Sequence, residues 1–93
     1  MTQLLTDDEI ATRLAAGDWE RDGDEIVREW KFADFAAAVA FVNRVADAAE
    51  EANHHPDIYL HGWNKVRLSL TNHSAGGLTE TDFVLAGLFD GLG

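Results

Sequence analysis

The chain has 93 residues, 17 acidic against 7 basic, and a formal net charge of −10 at neutral pH. That length suits one domain spanning residues 1–93, and the charge repels phosphate backbones and anionic membrane surfaces, so direct nucleic-acid binding is not expected. There is no cysteine, which excludes disulfides, thiolate zinc sites and cysteine nucleophiles, and no apolar run approaches the ~20 residues of a membrane span.

The N-terminal stretch from Met1 to Asp8 lacks the basic start and long apolar segment of a signal peptide, so a cytoplasmic protein is expected. Thr6 is followed three residues later by Glu9, a capping-box pattern. Ile10 and Leu14 recur at helical spacing and Gly17 is a stop signal, giving a first helix from about 7 to 16. Trp19-Glu20-Arg21, the turn Asp22-Gly23-Asp24 and the segment from Glu25 to Phe32 read as a β-hairpin. In its second strand Ile26, Trp30 and Phe32 share a face, with Arg28 breaking the alternation.

Asp34 can cap a long helix to about Ala52, with an apolar stripe of Phe35, Val39 or Ala38, Val42, Val45 or Ala46, and Ala49. Asn53-His54-His55-Pro56 ends it, because the residue before a proline is pushed out of helical geometry. Asp57 to Trp63 and Lys65 to Asn72 read as two more strands. In the last, Val66, Leu68 and Leu70 alternate with polar residues, the mark of a sheet buried on one face. After the loop His73-Ser74-Ala75-Gly76-Gly77, Thr79 with Asp82 three residues on starts a final helix to about Asp90. The order α-β-β-α-β-β-α gives an α+β fold: a four-stranded antiparallel sheet with helices packed on one face. Trp19, Trp30, Phe32, Phe35, Phe41 and Phe83 fall at core spacing.

Chemistry concentrates where elements end. His54 and His55 sit at the end of the long helix and His73 follows the last strand, in loops of the kind that carry sites. Glu50 lies one turn before His54, and Glu51 one turn before His55; residues four apart share a helix face, so each carboxylate could orient an imidazole. Imidazoles can give and take protons in one cycle, as removing water requires. A metal site is the weaker reading: adjacent side chains such as His54 and His55 rarely converge on one ion, and no His-Glu-x-x-His motif is present. A histidine beside a proline at a helix end is more often a cap or a surface residue. His61 lies on the third predicted strand and reads as an ordinary strand residue.

Glu50-x-x-x-His54-His55-Pro56, then Trp63, His73 and Asp82, resembles the signature of the pterin-4a-carbinolamine dehydratases. The likeness extends over the whole chain, including Trp63-Asn64-Lys65-Val66 and Leu78 to Asp82. It implies the α+β fold derived above and a homodimer or homotetramer. It also implies dehydration of a 4a-hydroxytetrahydropterin to a quinonoid dihydropterin, recycling the cofactor of aromatic amino-acid hydroxylases, with neither metal nor organic cofactor. By position, His54, His55 and His73 would line the pterin site, Glu50 and Asp82 support it, Pro56 fix the turn, and Trp63 pack beneath. One of His54 and His73 would protonate the leaving hydroxyl, while His55 handles the ring-nitrogen proton or anchors the pterin. The rival reading is a non-catalytic interaction or dimerisation factor of the same fold, which some relatives represent. The three retained histidines favour the enzyme.

Overall fold

The structure, a computed structural model, describes residues 3–93; Met1 and Thr2 of the N-terminal reading lie outside them. The described residues form three helices and four strands. They run α1 (Asp7–Leu14), β1 (Glu20–Asp22), β2 (Glu25–Lys31), α2 (Phe35–Ala52), β3 (Asp57–His61), β4 (Lys65–Leu70) and α3 (Glu80–Asp90). This is the expected order. The strands make one antiparallel sheet ordered β1-β2-β4-β3.

Register decides which side chains meet the helices. Ile26 faces Leu70, Trp30 faces Val66 and Ile58 faces Leu68 across their ladders. Opposed residues share a face, so these build the apolar side of the sheet. Ile26, Val66, Leu68 and Leu70 are wholly buried there with Phe41, Val45 and Phe89 from the helices. Trp30 meets Trp19 edge-on at 5.7 Å and Phe41 at 4.8 Å between ring centres. The other face carries Glu25, Val27, Glu29, Arg67, Ser69, Asp57, Tyr59 and His61, and the alternation of β4 predicted this split.

Arg28, the break in the β2 alternation, lies on the helix side without being stranded there. Its guanidinium sits over the Trp30 ring at 4.4 Å and pairs with Asp90 at 2.5 Å and Asp18 at 3.5 Å. A cation whose stem crosses apolar surface while its head reaches carboxylates costs little.

The helix caps follow the sequence signals. Thr6 Oγ1 accepts from the Glu9 N–H at 3.2 Å while Glu9 accepts from the Thr6 N–H at 2.9 Å. Asp34 accepts from the Ala37 N–H at 2.7 Å. The α2 stripe differs from expectation. Ala38, Phe41, Val45 and Ala49 are buried, whereas Phe35 is exposed and Val42 half-buried. Phe41 sets the facing, because the largest side chain in the middle of the helix gains most by entering the core, and Phe35 is thereby turned outward.

Candidate functional site

The end of α2 sets the geometry of the first two histidines. Asn53 adopts the left-handed conformation, φ 50° and ψ 41°, one of the few non-glycine residues suited to it. Its N–H donates to the Glu50 carbonyl at 3.2 Å, and the His54 N–H donates to the Ala49 carbonyl at 3.1 Å. The helix is therefore closed before the histidines, and Pro56 keeps the chain extended beyond them. Successive residues of an extended segment point to opposite sides. His54 turns inward and His55 outward.

His54 meets Asp82. Its Nε2 lies 2.6 Å from Asp82 Oδ1, with Asp82 fully buried and the His54 side chain 15 % exposed. The second oxygen of Asp82 accepts from the Thr79 N–H at 2.8 Å and the Thr79 hydroxyl at 3.2 Å. This one carboxylate completes the start of α3 and anchors an imidazole from the end of α2, 28 positions away. Because Nε2 is engaged, Nδ1 is the ring atom free for other work.

His55 meets Glu50, Nε2 to Oε2 at 2.6 Å, and both side chains are largely exposed. This corrects the expected partners. The i, i+4 rule pairs Glu50 with His54 and Glu51 with His55 only while the helix continues, and the left-handed Asn53 ends it first. Glu50 is displaced onto His55, and Asp82 takes His54.

His73 enters from the end of β4. Residues 72–77 fold back on Asn72, whose carbonyl accepts from the N–H groups of Ala75, Gly76 and Gly77 at 2.9–3.2 Å. The Asn72 side chain accepts from the Ala75 N–H at 3.1 Å. Gly76, at φ +81°, supplies the reversal that an L side chain resists. His73 is thus held on a short, hydrogen-bonded loop beside the α2 end. A hollow of about 180 Å³ is lined by Asn53, His54, His55, Thr71, Asn72, His73 and Ser74. All three histidines line it. Asn53, Thr71, Asn72 and Ser74 were not singled out from the sequence; of these, only Asn53 carried a signal, an asparagine where a helix must stop.

Trp63 is elsewhere. It occupies the β3–β4 turn with φ +61° and is 61 % exposed, at the opposite end of β3 from Pro56. The expectation that it packs beneath the site is overturned: strand β3 carries the chain away from the histidines before Trp63 is reached. His61 is an ordinary strand residue in outline, stacked on Tyr59 at 4.6 Å and bonded to Glu29 on the uncovered sheet face. Among the described residues no group of three histidine, aspartate or glutamate side chains is placed to hold a metal ion.

A family model described as pterin 4 alpha carbinolamine dehydratase matches residues 3–92. A protein of Chloroflexus aurantiacus named "Putative pterin-4-alpha-carbinolamine dehydratase" is 54 % identical over 87 residues, 92 % of each chain. The crystal structure of a transcriptional coactivator/pterin dehydratase from Brucella melitensis superposes with a TM-score of 0.90 at 32 % identity, over 97 % of this chain and 98 % of that one. A pterin dehydratase-like protein identified as a RuBisCO assembly factor in the alpha-carboxysome matches with a TM-score of 0.69 at 25 % identity, over 83 % of this chain and 90 % of that one.

Proposed function

The chain belongs to the pterin 4 alpha carbinolamine dehydratase family, and on that premise we propose that it dehydrates a 4a-hydroxytetrahydropterin by histidine acid–base catalysis. The observation that carries the reading is the buried His54–Asp82 pair opening on a hollow shared with His55 and His73. The reaction breaks the bond between C4a and the hydroxyl oxygen and removes the proton of the neighbouring ring nitrogen. The hydroxyl leaves as water, and a double bond forms between that nitrogen and C4a.

His54 delivers a proton from Nδ1 to the departing hydroxyl, while Asp82 holds the opposite ring nitrogen and so fixes which atom faces the substrate. His55, steadied by Glu50, takes the ring-nitrogen proton. His73, arriving from the β4 side, holds the ring system between the two. Each proton-transfer group is worth ~10²–10⁴-fold in rate. No metal or organic cofactor enters the scheme. The product is the form from which a reductase regenerates the cofactor of an aromatic amino-acid hydroxylase.

A second reading has one observation behind it: the neighbour of similar fold that serves as an assembly factor. The deciding measurement is the decay of a 4a-hydroxytetrahydropterin generated by a coupled hydroxylase, with the parent protein and with His54→Ala/His73→Ala. Acceleration by the parent and none by the folded double variant is expected. A well-folded parent that leaves the decay unchanged overturns the dehydratase reading in favour of partner binding.

A further inference from the structure

Asn72 stands between the histidine hollow and a second one of about 330 Å³, and lines both together with Thr71 and His73. Its backbone is committed to the loop that carries His73, because its carbonyl accepts from the N–H groups of Ala75, Gly76 and Gly77. Its side chain is only half committed. The Ala75 N–H lies 3.1 Å from one terminal atom of the amide. A backbone N–H only donates, so that atom is Oδ1 and the orientation of the amide is settled.

The other half of the amide is uncommitted. Among the described residues Nδ2 makes no hydrogen bond, and it is not sealed in the interior, since no buried side-chain nitrogen or oxygen there lacks a partner. Two N–H donors are therefore held at the wall that the hollows share. The groups around them are spent or reversible. The Thr71 hydroxyl donates to the Asp24 carbonyl at 2.6 Å, and an imidazole or the Ser74 hydroxyl can accept as well as donate. Nδ2 can only donate, and it is carried on the same hydrogen-bonded loop as His73.

We propose that Asn72 donates from Nδ2 to the C4 carbonyl oxygen of a bound pterin, and so selects 4-oxo rings against rings that carry an amino group at C4. The inference rests on the dehydratase reading above and adds a specificity-determining residue to it. In that reading His54 faces the hydroxyl on C4a, and His55 faces the ring nitrogen on one side of C4a. The neighbour on the other side is C4, whose oxygen can only accept. A 4-amino ring loses this hydrogen bond and sets donor against donor, which separates the two ligands by roughly tenfold in affinity. The donor adds no charge, so the preference is insensitive to salt.

The test is calorimetric titration of the intact chain with 6-methylpterin and with 2,4-diamino-6-methylpteridine, at a pH where both rings are uncharged. The parent is expected to bind the oxo ligand about tenfold more tightly. Asn72→Asp keeps the acceptor for Ala75 and exchanges the donor for a second acceptor, so the preference is expected to invert, by about tenfold in favour of the diamino ligand. Asn72→Ser, whose hydroxyl can take the Ala75 N–H in the same kind of turn, removes the long donor without adding charge. It is expected to bring the two affinities within about threefold of each other. Equal binding of both ligands by the parent overturns the proposal. So does either variant that keeps the parent's preference while its Ala75 amide stays protected from exchange. A parent that binds neither ligand overturns the pterin reading itself, and the role of Asn72 with it.

Discussion

Asp82→Asn is a change of one atom that separates the two duties of this side chain. The Thr79 N–H can only donate, so the amide oxygen of the variant must remain toward Thr79 and its NH₂ must face His54 Nε2. Nε2 then has to accept, and the ring proton moves to Nδ1. In that tautomer the ring cannot take a proton at Nδ1. Nor can it become doubly protonated without setting two donors against each other. Proton transfer through His54 is lost in both directions, so turnover is expected to fall ~10²–10⁴-fold, equivalent to ~2.7–5.4 kcal/mol of barrier. The fold is hit less. The hydrogen bond to Thr79 survives, while a charge-assisted bond of a buried carboxylate is exchanged for a neutral one, at a cost of about 1–1.5 kcal/mol. For a domain of this length that lowers the melting temperature by on the order of 10 °C. Turnover is read in the coupled hydroxylase assay well below the lowered melting point, and ¹⁵N chemical shifts of the His54 ring report the tautomer. A folded Asp82→Asn protein with turnover within threefold of the parent refutes the reasoning, as does a parent whose neutral His54 carries its proton on Nδ1.

Two further outcomes are expected. Strand β3, five residues long, holds Trp63 about 16 Å from the histidine end. Trp63→Ser should accordingly leave turnover within twofold of the parent, and a loss beyond tenfold in a folded variant would return Trp63 to the site. The Glu9 carboxyl is held below its ordinary value of 4.5, chiefly by the Thr6 N–H and then by the Thr6 hydroxyl, against a small opposing effect of burial. A depressed folded value means the stabilisation is complete above about 4.5 and disappears as pH falls through that lower value. Protection of the amides at the start of α1, corrected for the intrinsic pH dependence of exchange, should fall in that window in the parent, and in Glu9→Gln the step should be absent. Identical pH profiles for the two proteins would contradict this.

The fold was legible because its signals are local. Thr6 with Glu9, Asp34, the β4 alternation and Pro56 each act within a few residues, and each appears in the structure where its spacing puts it. The Thr79–Asp82 pattern was equally visible as a helix start. That Asp82 serves the site was implied only by family likeness, and its contact with His54 was not foreseen, because it joins the ends of two helices and depends on how they lie on the sheet. Glu50 was found but matched to the wrong histidine, since the i, i+4 rule says nothing of the residue at which a helix stops. Trp63 was misplaced because a position in a signature carries no distance.

The double attachment of Asp82 bears on how such chains are compared. A descendant without the proposed catalysis would be free to drift at His54, His55 and His73, yet would still need a side-chain acceptor at position 82 to start α3. The requirement for an acceptor there therefore outlasts the chemistry. That acceptor's presence in a distant sequence testifies to the helix, and the histidines are the residues whose retention speaks for an enzyme.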